Sequence, residues 1–201
     1  MKKFELTTNS KMYFGRKLFQ IRALVSFGNV KKGELGGWVE KEENLSQEGN
    51  CWVSDNGWVS GDGRVFGNGR VSGNGRVSDN GWVSDNGWVF GNGWVSDNGW
   101  VFGNGRVSGN GRVSGDGRVS GDGRVSGNKD IAYIKGFGSE YRPTTFFRCE
   151  DGVIRTQCGC FYGTIDEFRE QVKGTHKDSK FAKEYLMIAD LMELHFRSEE
   201  E

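Results

Sequence analysis

Several features that would point to a membrane, secreted or disulfide-rich protein are missing from this sequence of 201 residues. No apolar run approaches the roughly 20 residues that span a bilayer, and the first residues lack the apolar core of a signal peptide. Four cysteines in a chain of this length do not form a disulfide framework. We therefore expect a cytoplasmic protein with reduced thiols and no membrane association.

An excess of charge of one sign is also missing. The chain has 27 basic and 27 acidic side chains, and residues 52–128 contain seven Arg and seven Asp. Proteins that bind nucleic acid along a surface usually present a basic stripe, because the phosphates dominate the affinity. The balance of charge predicts that nucleic acid is not a partner.

Glycine, in contrast, is abundant, and most of it belongs to a repeat of six residues. Valine recurs every six residues from Val53 to Val125, thirteen times, in the pattern [W/R]-V-[S/F]-[G/D]-[N/D]-G, of which the last copy ends in Lys129. Asn-Gly and Asp-Gly favour hairpin turns, but an antiparallel meander would place successive valines on opposite faces. A solenoid in which each hexad forms one side of a triangular coil instead points every valine inward.

The spacing of the apolar and small residues resembles a known family. An inward aliphatic residue followed four places later by a small one, as in Val53 and Gly57, is similar to the hexapeptide-repeat left-handed β-helix. The resemblance implies a mainly β protein whose residues 52–128 form a left-handed parallel β-helix with 18 residues in each coil. The family usually carries Ala, Ser or Thr where this chain has Gly in every complete hexad, and the sequence offers no reason for that difference.

The segments on either side of the repeat predict two further units. Residues 1–51 contain strand-like stretches and are expected to form an N-terminal β cap, which a solenoid needs to cover its open core. Residues 129–201 predict a small α+β module. Its strands are IAYIKGF, TTFFRC and VIRTQC, and a capping box at Thr164–Glu167 opens the first of two helices. The second helix is predicted from about Asp178, with an apolar stripe at Phe181, Tyr185, Ile188, Met192 and His195.

Both flanking segments also carry a resemblance. Three segments resemble the N-terminal region of uncharacterised bacterial and prophage hexapeptide-repeat proteins: Gly36-Gly37-Trp38-Val39, Asn44-Leu45-Ser46 and Gly49-Asn50-Cys51-Trp52-Val53. The run Cys158-Gly159-Cys160-Phe161 is similar to tails found on phage-type members. The resemblance implies a phage or prophage protein that acts in the cytoplasm of a bacterial host cell.

Acyltransferases are the best-known enzymes built on this solenoid, and such an enzyme needs a histidine at the coil surface to deprotonate the acceptor. The chain has only two histidines, His176 and His195, and both lie outside the repeat. We therefore predict no enzyme and no cofactor, and keep an acyltransferase as a disfavoured alternative.

A zinc site is the other chemistry to weigh, since Cys149, Cys158, Cys160 and His176 are suitable ligand types. The C-x8-C-x-C spacing lacks the C-x2-C pair of common zinc ribbons and knuckles. In a strand, Cys158 and Cys160 would point to one face, as two small residues packed in a core also would. We predict thiols that pack in the structure and no metal, with Cys51 buried beside the cap.

The outward position of each hexad holds Trp or Arg, and folding the hexads in threes gives three columns. The columns are Trp52, Arg70, Trp88, Arg106 and Arg124; Trp58, Arg76, Trp94 and Arg112; and Arg64, Trp82, Trp100 and Arg118. Neighbours about 4.8 Å apart predict stacked cation–π pairs that stabilise the coils, helped by corner Asp residues near Arg. The alternative is a binding surface for another copy, a sugar chain or a protein. Its exposed rings would be Trp82, Trp88, Trp94, Trp100, Phe66, Phe90 and Phe102.

Because the hexads are nearly interchangeable, we predict a non-enzymatic scaffold or binding protein. The solenoid would be a spacer, and the C-terminal module would recognise a protein partner and form a homo-oligomer, either a dimer or a trimer. The residues expected to bind are Arg142, Arg148, Arg155, Tyr162, Arg169 and Lys177, with the acidic end Glu199-Glu200-Glu201 as a further candidate. An alternative implied by the phage resemblance is an inhibitor that occupies a host enzyme or defence complex.

Overall fold

The chain forms a parallel β-solenoid that is closed at each end by elements outside the repeat. The computed structural model describes residues 2–197. Before the repeat lie β1 (Phe4–Tyr13), β2 (Arg16–Ala23) and β3 (Leu35–Val39). The repeat contains β4 (Trp52–Val53), β5 (Trp58–Val59), β6 (Arg64–Val65), β7 (Arg70–Val71), β8 (Arg76–Val77), β9 (Trp82–Val83), β10 (Trp88–Val89), β11 (Trp94–Val95), β12 (Trp100–Val101), β13 (Arg106–Val107), β14 (Arg112–Val113), β15 (Arg118–Val119) and β16 (Arg124–Val125). After it come β17 (Ile131–Ile134), β18 (Thr144–Arg148), β19 (Ile154–Cys158), β20 (Phe161–Thr164), α1 (Ile165–His176) and α2 (Lys180–Phe196), and short 3-10 turns lie at Glu42–Asn44 and Asn128–Asp130.

The strands of the repeat stack in parallel and form the three faces of a rod. Face 1 contains β4, β7, β10, β13 and β16; face 2 contains β5, β8, β11 and β14; and face 3 contains β6, β9, β12 and β15. The register places each residue beside the one 18 positions later, as in Val53 and Val71. The 18-residue parallel coil predicted from the valine period is confirmed, and so are the three columns of Trp and Arg.

A single column of apolar side chains fills the rod. All thirteen valines of the repeat have no exposed surface. The same core includes Val39 and Leu45 before the repeat, so the inward phase of the hexads already begins there.

The last glycine of the hexad lies where neighbouring coils approach most closely. A Cβ placed on Gly99 would be 2.5 Å from the carbonyl oxygen of Val113, and one on Gly87 would be 2.6 Å from that of Val101. Because these oxygens belong to the backbone of the following coil, they cannot move aside as a flexible side chain would. This close approach is the physical reason for glycine at a position where the sequence alone offered none.

The corners combine a left-handed residue with rows of asparagine. The fourth residue of the hexad has positive φ, for example 54° at Asp55 and 61° at Gly61. Asp is among the few residues other than Gly that adopt this conformation at modest cost, which accounts for their exchange. The fifth residues form hydrogen-bonded rows, in which Asn68 Nδ2 donates to Asn86 Oδ1 at 3.2 Å and Asn86 donates onward to Asn104 at 3.3 Å.

An antiparallel hairpin covers the N-terminal coil. Strand β1 pairs with β2, β2 pairs with β3, and β3 joins face 2 by parallel pairing with β5. Cys51 is fully buried beneath this cap, as predicted, and its Sγ lies 3.2 Å from the ammonium nitrogen of Lys3. Burial raises the pKa of the Cys51 thiol.

The four strands after the repeat form an antiparallel sheet in the order β17-β18-β19-β20. One side of this sheet closes the C-terminal end of the rod, because Phe147 and Cys149 are buried in the valine core. The other side, which includes Phe146, packs against the two helices and forms a second core. The three predicted strands are confirmed, whereas β20 was not predicted.

The helices begin close to their predicted positions. The predicted capping box is present at Thr164, the residue before α1. Thr164 Oγ1 accepts from the Glu167 backbone N–H at 3.2 Å, and the Thr164 N–H donates to the Glu167 carboxylate at 2.7 Å. Helix α2 begins at Lys180, slightly later than predicted, because Ser179 supplies its N-terminal cap. The buried stripe ends on Phe196 and not on His195, which is exposed.

A buried carboxylate joins the rod to the C-terminal sheet. Asp130 Oδ2 accepts hydrogen bonds from the Ser126 hydroxyl at 2.6 Å and from the Ser126 and Gly127 N–H groups at 2.9 Å. Its Oδ1 lies 3.5 Å from the guanidinium of Arg148. Burial alone would raise the pKa of Asp130, but these hydrogen bonds outweigh it, and the pKa is lower than usual.

We expect Asp130 to make the junction acid-sensitive. Because its pKa is lowered in the folded chain, its contribution is present above the ordinary Asp pKa of about 3.9 and is lost as the pH falls through the folded value. Asp130→Asn should reduce stability at neutral pH by about 1–2 kcal/mol and flatten the loss of stability below about pH 4. Thermal unfolding between neutral and acid pH tests this, with the exposed Asp178→Asn as control. An unchanged pH profile in Asp130→Asn would contradict it.

Candidate functional site

Some of the cation–π pairs predicted between neighbouring Trp and Arg residues of the outward columns are formed. The Arg112 guanidinium lies 3.9 Å from the centre of the Trp94 ring. Two other stacked pairs are looser, with Arg118 5.8 Å from Trp100 and Arg76 6.0 Å from Trp58. The stabilising ladder is therefore local to a few pairs of the described residues and does not run along every column.

Most interior tryptophans are fixed by a hydrogen bond that was not predicted from the sequence. The indole N–H of Trp88, Trp94 and Trp100 donates to the serine hydroxyl 16 residues earlier, at 2.9 Å, 3.0 Å and 2.9 Å. For Trp82 the same position is occupied by Phe66, which offers no acceptor. The sequence does carry a signal for these hydrogen bonds. The third residue of the hexad is either Ser, which can accept from an indole N–H, or Phe, which cannot.

The corner aspartates do not pair with the arginines of the repeat. Asp55 accepts from the Gly73 N–H at 3.1 Å, and Asp85 and Asp97 each accept in the same way from the following coil at 3.3 Å. Among residues 2–197, the ion pairs of the corner aspartates are with Arg16, Lys41 and Lys135, all outside the repeat. The corner aspartates form no ion pair with the arginines of the repeat within residues 2–197, although Arg64, after the hydrogen bond from Lys41, also helps to lower the pKa of the Asp62 carboxyl. Several of these carboxylates accept instead from backbone N–H groups and from the hydroxyl of the preceding serine.

The predicted aromatic surface is concentrated on face 3. Ring centres are 6.0 Å apart for Phe66 and Trp82, 5.9 Å for Trp82 and Trp100, and 4.5 Å for Trp100 and Phe102. Trp82 is the most exposed of these side chains, with 41% of its surface accessible. Trp88 and Phe90 form a smaller pair on face 1 at 4.5 Å, and Trp94 lies on face 2 beneath Arg112.

Two hollows flank Trp82 on face 3. One, of about 510 Å³, lies between the ring and the N-terminal cap and is lined by Leu45, Phe66 and two glutamates, Glu42 and Glu43. The other, of about 430 Å³, lies toward the neighbouring corner and is lined by Asn80, Asn98 and Arg118. Face 3 therefore combines exposed aromatic rings with hollows on both sides of Trp82.

The binding residues predicted in the C-terminal module do not converge on one site. Arg148, Arg155 and Arg169 each bond to carboxylates of the chain itself; the last contacts Asp166, Asp190 and Glu193. Tyr162 packs on Phe147 and lies near Cys149, and burial raises the pKa of Tyr162 to about 12. Arg142 and Lys177 are exposed at the surface, and the acidic end Glu199-Glu200-Glu201 lies outside the described residues.

The three C-terminal cysteines are kept apart. Cys149 lies in the core of the rod, Cys158 lies on the helix side of the sheet, and Cys160 is exposed in the turn after β19. The prediction that Cys158 and Cys160 share one strand face is wrong, because the strand ends at Cys158. Within residues 2–197, no three His, Cys, Asp or Glu side chains are arranged to hold a metal ion.

His176 borders a hollow of about 220 Å³ between the helices and the segment before β18. Its ring lies 5.7 Å from that of Tyr185, and Cys158 and Arg142 also line the space. Thr144 Oγ1 donates to Cys158 Sγ at 3.2 Å. In this hollow, His176 therefore lies close to three other ionisable side chains, those of Arg142, Cys158 and Tyr185.

Helix α2 has a second apolar stripe that was not predicted from the sequence. Met187, Leu191 and Leu194 are 71%, 53% and 64% exposed on the side opposite the buried stripe. Their spacing of four and three residues is visible in the sequence.

No helix among residues 2–197 is long and apolar enough to span a bilayer.

Comparison with known proteins gives a short match to an acetyltransferase. No protein-family model matches the chain. The chain is similar to the "Uncharacterized acetyltransferase YdcK" of Escherichia coli (strain K12), with 50% identity over 38 residues. The matched part is 19% of this chain and 12% of that protein. The parallel coils of 18 residues fit the hexapeptide-repeat proteins, and this short match is a partial resemblance to an acetyltransferase.

Proposed function

We propose that the chain is a non-enzymatic scaffold or binding protein of the phage or prophage type, acting in the cytoplasm of a bacterial host. The solenoid is a spacer, and the C-terminal module recognises a protein partner. The observation that carries this proposal is the unbroken repeat. Thirteen hexads follow one another without an inserted loop, and different elements close the two ends of the rod.

The distribution of ionisable groups supports a binding role. Acyl transfer needs a general base within hydrogen-bond reach of the acceptor. Both histidines lie in the C-terminal module, and the hollows along the rod are lined mainly by Asn, Arg, Trp and carboxylates. Such a lining can hold a ligand or partner, and it contains no histidine to act as the base.

A pair of deletions tests the spacer. Removing residues 70–87 takes out one whole coil and keeps every valine inward, whereas removing residues 70–75 rotates the C-terminal module by a third of a turn. Both chains should fold, because each coil contacts only its neighbours. Host proteins captured by the intact chain should be retained by the 18-residue deletion and lost by the 6-residue deletion if the relative orientation of the two ends matters.

The same capture experiment locates recognition. Arg142→Ala combined with Lys177→Ala should reduce capture without loss of folding, because both side chains are exposed on the module. Arg155→Ala is the matched control, since two hydrogen bonds of 2.9 Å and 2.7 Å hold that guanidinium on Asp151, whereas Arg142 has a 3.5 Å contact with Glu140. Capture that survives the double variant but is lost in both deletions would place the partner on the coils and contradict the proposed role of the module.

An acetyltransferase is the second candidate, and the 38-residue match favours it. His176 is the residue to test as its general base, because it lines a hollow with Cys158 and Tyr185. This candidate would require acetyl-CoA to bind saturably and His176→Ala to abolish transfer.

A further inference from the structure

Two arginines on face 1 have no contact that would explain them as supports of the coils. On the other two faces, Arg76, Arg112 and Arg118 lie over tryptophan rings. Within residues 2–197, Arg70 and Arg106 of face 1 form no ion pair and stack on no aromatic ring. Their guanidinium groups are therefore free to contact a ligand.

The two arginines flank one fixed aromatic ring. In the parallel register, Trp88 lies between Arg70 and Arg106. Its indole N–H donates to the Ser72 hydroxyl at 2.9 Å, and its ring packs on Phe90 with the ring centres 4.5 Å apart. These contacts hold the ring in position. The two arginines are two coil spacings apart, about 10 Å, with the ring between them.

A groove of about 490 Å³ runs along this column. That volume is within the range of about 300–1,000 Å³ that is usual for ligand sites. The groove is lined by Gly28 of the cap, the column residues Arg70, Trp88, Arg106 and Arg124, the corner row Asn50, Asn68, Asn86, Asn104 and Asp122, and Glu150. At about 4.8 Å for each coil, the corner row is about 19 Å long. The groove therefore suits a short stretch of a chain.

The row of asparagines offers donors and acceptors in equal number. Asn50 donates to Asn68 at 3.3 Å, Asn68 to Asn86 at 3.2 Å, and Asn86 to Asn104 at 3.3 Å. A side-chain amide has two N–H donors and two acceptor lone pairs, so each exposed amide inside the row keeps one of each. A hydroxyl group both donates and accepts. The row therefore matches a ligand that carries many hydroxyl groups.

The charges of the groove are separated along the rod. Both carboxylates lie at its C-terminal end, where Glu150 pairs with Arg124 at 2.6 Å and the Glu150 N–H donates to the Asp122 carbonyl at 3.1 Å. Beside Arg70 and Arg106, the corner row of the groove consists of neutral asparagines. Arginine binds carboxylates through paired hydrogen bonds. The cationic part of the groove therefore favours a ligand with carboxylate groups.

We propose that this groove binds a linear acidic sugar chain, a polymer of uronic acid units, laid along the rod. Arg70 and Arg106 bind carboxylates of the chain, Trp88 packs against the face of a sugar ring between them, and the asparagine row bonds to hydroxyl groups. One unit of an extended sugar chain is close to one coil spacing in length, so the contacts recur from coil to coil. The site lies on the solenoid and does not depend on the partner of the C-terminal module.

Two other anionic chains fit the groove less well. In an extended peptide, the backbone groups on one side recur every two residues, about 6.6–6.8 Å, which is out of register with coils about 4.8 Å apart. A single-stranded nucleic acid carries a charge on every nucleotide and binds along a continuous basic track. Here a tryptophan separates the two free arginines, and the row beside them is neutral.

A calorimetric titration of the full chain with a short oligogalacturonate tests the site. We expect saturable binding with a dissociation constant below about 1 mM. Arg70→Gln combined with Arg106→Gln should weaken binding at least about tenfold, because both carboxylate contacts are lost. Arg76→Gln combined with Arg112→Gln changes the same hexad position on face 2 and should leave the affinity within about twofold. Thermal melting followed by circular dichroism checks that each variant is folded.

Trp88→Arg separates binding to a sugar from attraction by charge alone. Arg occupies this hexad position in seven coil sides, so the coil accepts it. The substitution removes the ring and adds a positive charge. Under the proposal, binding weakens severalfold because the contact with the sugar ring is lost. A site that attracts any anion would bind oligogalacturonate more tightly in this variant.

Three other chains of similar length serve as ligand controls: polyglutamate, single-stranded DNA and a neutral glucan. Each should bind at least about tenfold more weakly than oligogalacturonate. The proposal is overturned if oligogalacturonate does not saturate, if any control chain binds as tightly, or if the variant lacking Arg70 and Arg106 binds unchanged. Tighter binding in Trp88→Arg would overturn it as well.

Discussion

Gly99→Ala is expected to lower the free energy of unfolding by about 2–3 kcal/mol, and the melting temperature by roughly 5–10 °C. The new methyl group would be 2.5 Å from the carbonyl oxygen of Val113 and 2.9 Å from its carbonyl carbon. Both atoms belong to the backbone of the following coil. Relief of the clash requires the two coils to separate, and separation lengthens the hydrogen bonds between them, such as the one from the Ser96 N–H to the Val113 carbonyl, now 3.0 Å.

Gly117→Ala is the matched control, because Gly117 occupies the same hexad position in the same column but has no coil of the repeat stacked on it. Its nearest backbone contact is the Ser114 oxygen at 3.1 Å. That contact also exists at Gly99, where Ser96 O is 3.0 Å away, so the difference between the two variants isolates the contact between coils. Equal destabilisation of both would show that the close approach of the coils is not the reason for glycine.

Phe147→Ala is expected to have the largest effect on stability, about 3–5 kcal/mol. The ring is fully buried at the end of the valine core, and a Cβ placed on Gly123 would be 2.7 Å from it. Its removal leaves a cavity beside Val119 and Val125 and exposes the end of the rod to water. Without the Phe147 ring, the last coils should unfold locally before the remainder of the molecule. Each coil of a solenoid is stabilised by its neighbours, so the loss is greatest next to the altered end.

The adjacent residue gives a control of equal size. Phe146 is also fully buried, but it lies on the opposite side of β18 and packs against Phe168 of α1. In hydrogen exchange, Phe147→Ala should increase exchange in residues 106–125, and Phe146→Ala should increase it in α1 and α2. The same exchange pattern in both variants would mean that the rod and the module open as one unit, contrary to the two separate cores.

The period of the repeat is sufficient to predict the fold of the rod. Valine every six residues determines which side chains point inward, and grouping the hexads in threes correctly places Trp88 beside Arg70 and Arg106. These predictions succeed because the inward direction and the coil length depend only on spacing. The capping box at Thr164 is predictable for a similar reason, since it is a contact between residues close in sequence.

Contacts that depend on tertiary packing are not predictable in this way. Phe146 and Phe147 are adjacent and chemically identical, yet only the position of β18 decides which core each one enters. The prediction for Cys160 fails because the turn after Cys158 has no strong signal of its own. Glycine at the sixth hexad position departs from the pattern of the family it resembles, and only the distance between coils explains it.

The candidate site is less predictable than the fold. The exposed rings can be named from the sequence, but the repeat gives no means to decide which of the three faces the caps cover. That depends on Tyr13 and Phe27, two residues outside the repeat. The arginines of the module are candidates for their charge alone, and the carboxylates that hold Arg155 and Arg169 are arranged by the turn at Asp151 and by the packing of the two helices.

A calorimetric titration of the full chain with acetyl-CoA is the most direct test of the proposed function. It asks whether this protein is a binding protein or an enzyme that transfers acyl groups. We predict no saturable heat up to about 1 mM acetyl-CoA, because the coils carry no histidine and no inserted loop that could enclose the thioester. Saturable binding in the micromolar range, together with release of free CoA that is lost in His176→Ala, would contradict the account and identify the chain as an acetyltransferase.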